Sequence, residues 1–129
     1  TGAAVDLTLA DAQGEPLDLG SPIDAIGAVS EPDHFRGVAA QAEDAAMRRQ
    51  ALIWQERRDR LAAVMGVAGF AQHPNEWWHF SHGDQLWAWR TGDHQAIYGR
   101  WGQAGGALAV TLVCAAFLPS CIGKLRIRE

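Results

Sequence analysis

Glu76, Trp77, Trp78 and His79 set a carboxylate three residues before an imidazole. That spacing suits a metal site in which the His ligates and the Glu does not. The metal lowers the pKa of its bound water to about 7, and the nearby carboxylate takes the proton. Three residues is the wrong parity for one face of a regular strand. Glu76 is therefore expected on the Pro74-led loop or on a bulge, pointing back at a metal held by His79. Taken alone, a surface carboxylate and a packed imidazole explain the spacing better.

A second acid stands out at Asp6, within the alternation of Val5, Leu7 and Leu9 against Asp6 and Thr8. A carboxylate in an apolar strand is costly unless it is paired, hydrogen-bonded or bound to metal; the plainer alternative is a solvent-facing Asp6 beside Thr8. Asp6 and His79 together would make part of a zinc site, since catalytic zinc ordinarily takes three protein ligands. The other histidines, His34, His73, His82 and His94, fall in loops or turns. None stands in an HExxH helix, which Pro74 forbids here, and they read as solvated loop side chains.

These residues need elements to position them. The period of two predicts a strand over Thr1 to Ala10, with Asp6 and Thr8 on the face opposite Val5 and Leu7. Asp11 to Gly14 is a turn, and Glu15 to Pro32 is loop-rich with three prolines. From about Ala39 to Val67, Met47, Ala51, Trp54, Leu61 and Met65 recur at spacings of three, four and seven, the mark of one apolar helix face. Arg48, Arg49, Glu56, Arg57, Asp59 and Arg60 cover the solvated side, one break within the span is allowed, and Gly66 and Gly69 end the helix. A loop from Phe70 to Glu76 precedes an aromatic strand, Trp77 to Phe80. A turn at Ser81 to Asp84 then leads to a second strand, Gln85 to Arg90, so that the two form a β-hairpin. Trp87 and Trp89 would share one face of that strand and pack in the core. Thr91 to Asp93 is a further turn, followed by a third strand around Ala96 to Tyr98. The order predicts an α+β fold: a small single domain, mostly antiparallel sheet with one long helix.

Composition narrows the classes. The chain has 129 residues, 48% of them hydrophobic and 20% charged, as in ordinary globular domains. A formal net charge of -4 argues against nucleic acid as the main partner. Six tryptophans suggest a packed core or a walled pocket. Trp77 and Trp78 flank the proposed site, where one would wall the pocket and the other pack inward. Cys114 and Cys121 are a single pair without a CxxC, read as two free thiols rather than a disulfide framework or a cysteine zinc site. The apolar run Ala107 to Leu118 is about a dozen residues, short of the about 20 that span a membrane. It reads as a buried strand or helix, or a non-native tail, and no membrane partner is expected. The chain opens at Thr1 without a Met or a leader, which reads as a fragment or a processed or trimmed product.

The segments TGAAVDLTL, GSPID, MGVAGF and NEWWHFSHGDQLWAW, in that order, resemble the VanX-type D-alanyl-D-alanine dipeptidases over Thr1 to Trp101. The resemblance implies a catalytic domain over 1–101 whose amino-terminal part is missing, with a tail of unknown role over 102–129. It implies one catalytic Zn2+ and the dipeptide D-Ala-D-Ala as substrate. Gly2, Ala4 and Asp6 match the end of the family's SxHxxGxAxD motif, which makes Asp6 a metal ligand. Glu76, Trp78 and His79 match its ExWH motif, with Glu76 as general base and His79 as a second ligand. Gly20 and Asp24 match a GxxxD-like segment whose acid receives the substrate's free amino group. The His of the first motif would fall two positions before Thr1, and an Arg that stabilises the transition state also lies upstream. The family-based location is the cytoplasm, with the periplasm as the alternative; nothing in the chain indicates its oligomeric state. The competing readings are a related D,D-carboxypeptidase acting on longer wall peptides, and an inactive remnant or wall-peptide binding module lacking the third zinc ligand.

Overall fold

The computed structural model describes residues 2–99 and, as backbone, 124–127. The elements in order are β1 (Ala4–Ala10), α1 (His34–Gln41), α2 (Ala45–Val67), β2 (Ala71–Gln72), β3 (His79–Ser81), α3 (Gln85–Thr91) and β4 (Lys124–Ile127), with a short 3-10 turn at Ala28–Ser30. The strands make one antiparallel sheet in the order β2-β3-β1-β4. The fold is α+β, as the alternation of patterns predicts. Cys114, Cys121 and the apolar run 107–118 lie outside the described residues.

The β1 alternation does what a period of two requires. Leu7 and Leu9 are buried while Asp6 and Thr8 are half-buried on the other face. The long helical pattern resolves into two helices. Ala42 leaves helical geometry at ψ 121°, and Asp44 caps the new start by accepting from the Met47 amide at 2.7 Å. At the other end Gly69, at φ 86°, closes α2 while the Phe70 amide reaches back to the Met65 carbonyl. Gly66 sits in the last helical turn instead of ending it.

The main core joins Leu7, Leu9, Leu19, Leu61, Met65, Trp77, Trp78 and Phe80. Two polar side chains share the buried face of α2 with Ala51, Leu61 and Met65: Gln55 and Arg58. Met47, expected on that face, is 47% exposed. Arg58 is 1% exposed, so its guanidinium must find partners. It donates to the Leu19 carbonyl at 2.9 Å, the Glu31 carbonyl at 2.8 Å and Ser21 Oγ at 3.2 Å. It also lies over the rings of Phe35 (4.5 Å) and Trp77 (5.1 Å). Burial pushes its pKa down to about 10, partly opposed by the charge of Asp18, so it stays a cation near neutral pH. Neighbours on α2 grip the same stretch: Trp54 Nε1 donates to Asp18 Oδ2 and Arg57 to the Asp18 carbonyl. The proline-rich segment is thereby fastened to the helix with little secondary structure of its own.

Two strand expectations are corrected. Gln85–Thr91 is a helix, so no β-hairpin forms across Ser81 to Asp84. Asp84 caps it by accepting from the Trp87 amide at 2.8 Å, and Gly92, at φ 75°, stops it in the left-handed conformation. Both residues are turn formers as well as caps, and a seven-residue stretch is too short for period to separate helix from strand. Trp87 and Trp89 consequently do not share a core-facing side. Trp87 is half-buried and donates its indole N–H to the Gly69 carbonyl, whereas Trp89 is 67% exposed. The stretch Ala96 to Tyr98 is no strand either; there the Tyr98 amide bonds to the Gly83 carbonyl and the ring covers Gly83.

Gly20 has the tightest glycine environment. At φ +88° its missing Cβ would lie 2.2 Å from the Phe35 ring. Gly20→Ala should therefore cost about 2 kcal/mol or more through strain and displaced packing, read as a lower urea midpoint at unchanged slope.

Candidate active site

The antiparallel register of β1 and β3 places Asp6 opposite His79. Directly opposed residues share a face, so the two side chains meet. His79 Nδ1 lies 2.8 Å from Asp6 Oδ1, with the side chains 28% and 35% exposed. Phe80, next along β3, points the other way into the core. The sheet thus puts the apolar payload on one face and the carboxylate–imidazole pair on the other.

Glu76 lies off the strand, in the loop between β2 and β3. That loop is closed by the His73 amide bonding to the His79 carbonyl at 2.9 Å, and by Gln72 Nε2 donating to the Trp77 carbonyl. Closure brings Glu76 Oε2 to 3.8 Å from His79 Nδ1 and equally 3.8 Å from His73 Nδ1. The rings of His73 and His79 meet edge to face, 5.6 Å between centroids. His73 is thus no freely solvated loop residue: the loop returns it to the site, a consequence of β2–β3 pairing that its spacing did not reveal. His82 is also drawn inward, packed near Phe70, Trp87 and Tyr98 and away from the Asp6 pair, while His94 is exposed. His34 is not a loop residue but opens α1, where it packs on Phe35.

Trp77 and Trp78 are both buried, at 1% and 3% exposure, so neither lines an open pocket as the sequence had suggested for one of them. Trp77 donates its indole N–H to Ser21 Oγ (2.9 Å) and its amide to the Ser30 carbonyl (2.9 Å), which ties the residue next to Glu76 to both ends of the loop that carries Asp24. Asp24 itself is exposed and is the one non-glycine residue with positive φ, at 64°, among those described. Its neighbours Ile23 and Ala25 pack on the core, and the strained backbone turns the carboxylate outward between them. No hydrogen bond joins Asp24 to Asp6, Glu76 or His79 among the described residues.

The chemistry of the pair fits part of a catalytic zinc shell. Two donors on a tetrahedral zinc with bonds of 2.0–2.1 Å are themselves about 3.3 Å apart. The 2.8 Å pair therefore has to open by only about half an ångström to admit an ion. Among the described residues, no group of three or more His, Cys, Asp or Glu side chains is arranged to hold one.

Comparisons with known proteins bear on the same segments. The sequence profile of the family described as D-ala-D-ala dipeptidase matches residues 1–97, and the chain belongs to that family. A D-alanyl-D-alanine dipeptidase of Synechocystis sp. is 47% identical over 106 residues, covering 78% of this chain and 42% of that protein. A D-alanyl-D-alanine dipeptidase of Escherichia coli is 35% identical over 79 residues, covering 61% of this chain and 34% of that protein. The chain thus spans about two fifths or less of the length of these relatives. No solved structure matches it. No helix of the described residues is long and apolar enough to cross a membrane.

In the metal-free protein the Asp6–His79 contact should be worth measuring directly. Both partners are about a third exposed, so a double-mutant cycle of Asp6→Ala and His79→Ala should give a coupling energy of only about 0.5–1 kcal/mol in urea unfolding.

Proposed function

We propose that this chain carries the metal-binding and proton-transfer half of a zinc peptidase that hydrolyses D-alanyl-D-alanine to free D-alanine. The observation that carries this reading is the convergence of Asp6, His79 and Glu76 from two strands and the loop beside them. Membership of the D-ala-D-ala dipeptidase family supports the substrate.

Asp6 and His79 would hold the ion as a carboxylate and an imidazole ligand, completed by a donor outside the described residues. When bound, zinc supplies Lewis acidity, lowering the pKa of a water and polarising the scissile carbonyl. Glu76, off the strand and level with His79, takes a proton from the attacking water and delivers it to the departing D-alanine nitrogen as the C–N bond breaks. The water oxygen ends in the new carboxylate and its protons on the carboxyl and amine products. Asp24, held outward by its left-handed backbone, pairs with the substrate ammonium and restricts cleavage to dipeptides with a free amino end. The substrate is a small dipeptide, and the net charge of -4 gives nucleic acid no purchase.

One observation favours a second reading, an inert or purely binding relative: only two candidate zinc donors meet among the described residues. A related D,D-carboxypeptidase is the other alternative, and it would depend less on Asp24.

Two experiments on the full-length protein separate these. Glu76→Ala should lower kcat by about a hundredfold or more while zinc content, measured by atomic emission, stays near one ion per chain. Surviving hydrolysis would remove Glu76 from its role, and a zinc-free wild type would favour the inert reading. Asp24→Asn should raise KM for D-Ala-D-Ala by about tenfold and leave cleavage of its N-acetyl form near the wild-type level. A carboxypeptidase would instead prefer the acylated peptide before any mutation.

A further inference from the structure

Asp24 and Glu76 each lie outside any helix or strand, yet both must hold position for one small substrate. The geometry points to a buried clamp, Arg58–Ser21–Trp77, that fixes the amine-recognising loop relative to the proton-transfer carboxylate and so sets the enzyme's demand for a free amino end. This rests on the roles proposed above for Asp24 and Glu76.

The clamp is built from α2 outward. Arg58 grips the loop at both ends, bonding the carbonyls of Leu19 and Glu31, residues that lie on either side of Asp24 in the chain. Its third bond goes to Ser21 Oγ, and the same oxygen accepts the indole N–H of Trp77. One hydroxyl therefore joins helix, loop and the residue after Glu76. The Trp77 amide closes the far end on the Ser30 carbonyl. The guanidinium also lies over the rings of both Trp77 and Phe35, which adds cation–π contacts to the same cluster. Arg58 and Trp77 are each 1% exposed, and neither touches Asp6 or His79 through any hydrogen bond; they are positioning residues. A buried cation bonded to two loop carbonyls and one loop hydroxyl is also the arrangement that loses most when a partner is removed, since the remaining polar groups stay buried.

A core role alone would affect all substrates alike, in proportion to the folded fraction. A clamp on the Asp24 loop affects the choice between substrates. The test is the ratio of kcat/KM for D-Ala-D-Ala to that for N-acetyl-D-Ala-D-Ala, measured in the full-length zinc-loaded protein. Ser21→Ala should lower that ratio by about tenfold, and Ser21→Thr, which keeps the hydroxyl, should hold it within about twofold. Hydrogen exchange supplies a reading free of activity: the Trp77 amide should exchange about tenfold faster in the metal-free Ser21→Ala protein. Should Ser21→Ala fail to fold, Trp77→Phe removes the donor from the other side and is expected to lower the ratio in the same way. A ratio unchanged within twofold in the folded Ala or Phe variant, or lowered equally by Thr, would overturn the clamp while leaving the dipeptidase reading standing. A wild type with no preference for the free amine would instead remove the role of Asp24, and the clamp's proposed purpose with it.

Discussion

Everything at the site depends on the pairing of two short strands in one register. With Asp6 facing His79 and Val5 facing Phe80, the sheet sends apolar side chains to the core and leaves a carboxylate against an imidazole on the opposite face. A slip of β3 by a single residue would turn His79 to the core and Phe80 away from it, which the core could not accept. The register is therefore enforced by hydrophobic burial, and the 2.8 Å contact between Asp6 and His79 is its by-product. A carboxylate–imidazole contact this exposed contributes little to stability by itself.

A second constraint holds the less regular half of the molecule. The segment from Pro16 to Pro32 makes one isolated bridge to β1 and a short 3-10 turn, so its backbone polar groups need partners from elsewhere. The long helix supplies them through Trp54, Arg57 and Arg58. Burying a guanidinium is costly, and the cost is offset here by three hydrogen bonds and two aromatic faces. Gly20 completes the arrangement sterically, because a side chain there would overlap Phe35. The GSPID segment thus serves packing at Gly20, bonding at Ser21 and exposure at Asp24, three different physical jobs within five residues.

Much of this is legible in the sequence, and the exceptions have physical causes. The alternation of Val5, Leu7 and Leu9 placed β1, and the 3-4-7 spacing placed α2. The parity argument put Glu76 on a loop, where it is found. Arg58 is hard to read because charge ordinarily marks a solvated face, although its spacing from Ala51, Leu61 and Met65 puts it on the buried stripe. The helix at Gln85–Thr91 is not legible locally because Asp84 and Gly92 serve equally as turn residues and as helix caps. Local chemistry there is satisfied by two conformations, and contacts beyond the segment choose between them.

What the sequence by itself determined is the set of side chains and the period of the elements that carry them: an acid on the polar face of an amphipathic strand, an Glu-x-x-His in which the acid must leave the strand, and a long helix with one apolar stripe. These follow from geometry within a few residues, where side-chain direction is dictated by backbone repeat. Only the tertiary structure decided that Asp6 meets His79 across a strand pair 73 residues apart in the chain, that His73 returns beside Glu76, and that Arg58 is buried under the Asp24 loop. Those are contacts between distant segments, chosen by which burial satisfies the whole core at once, and no local pattern encodes them.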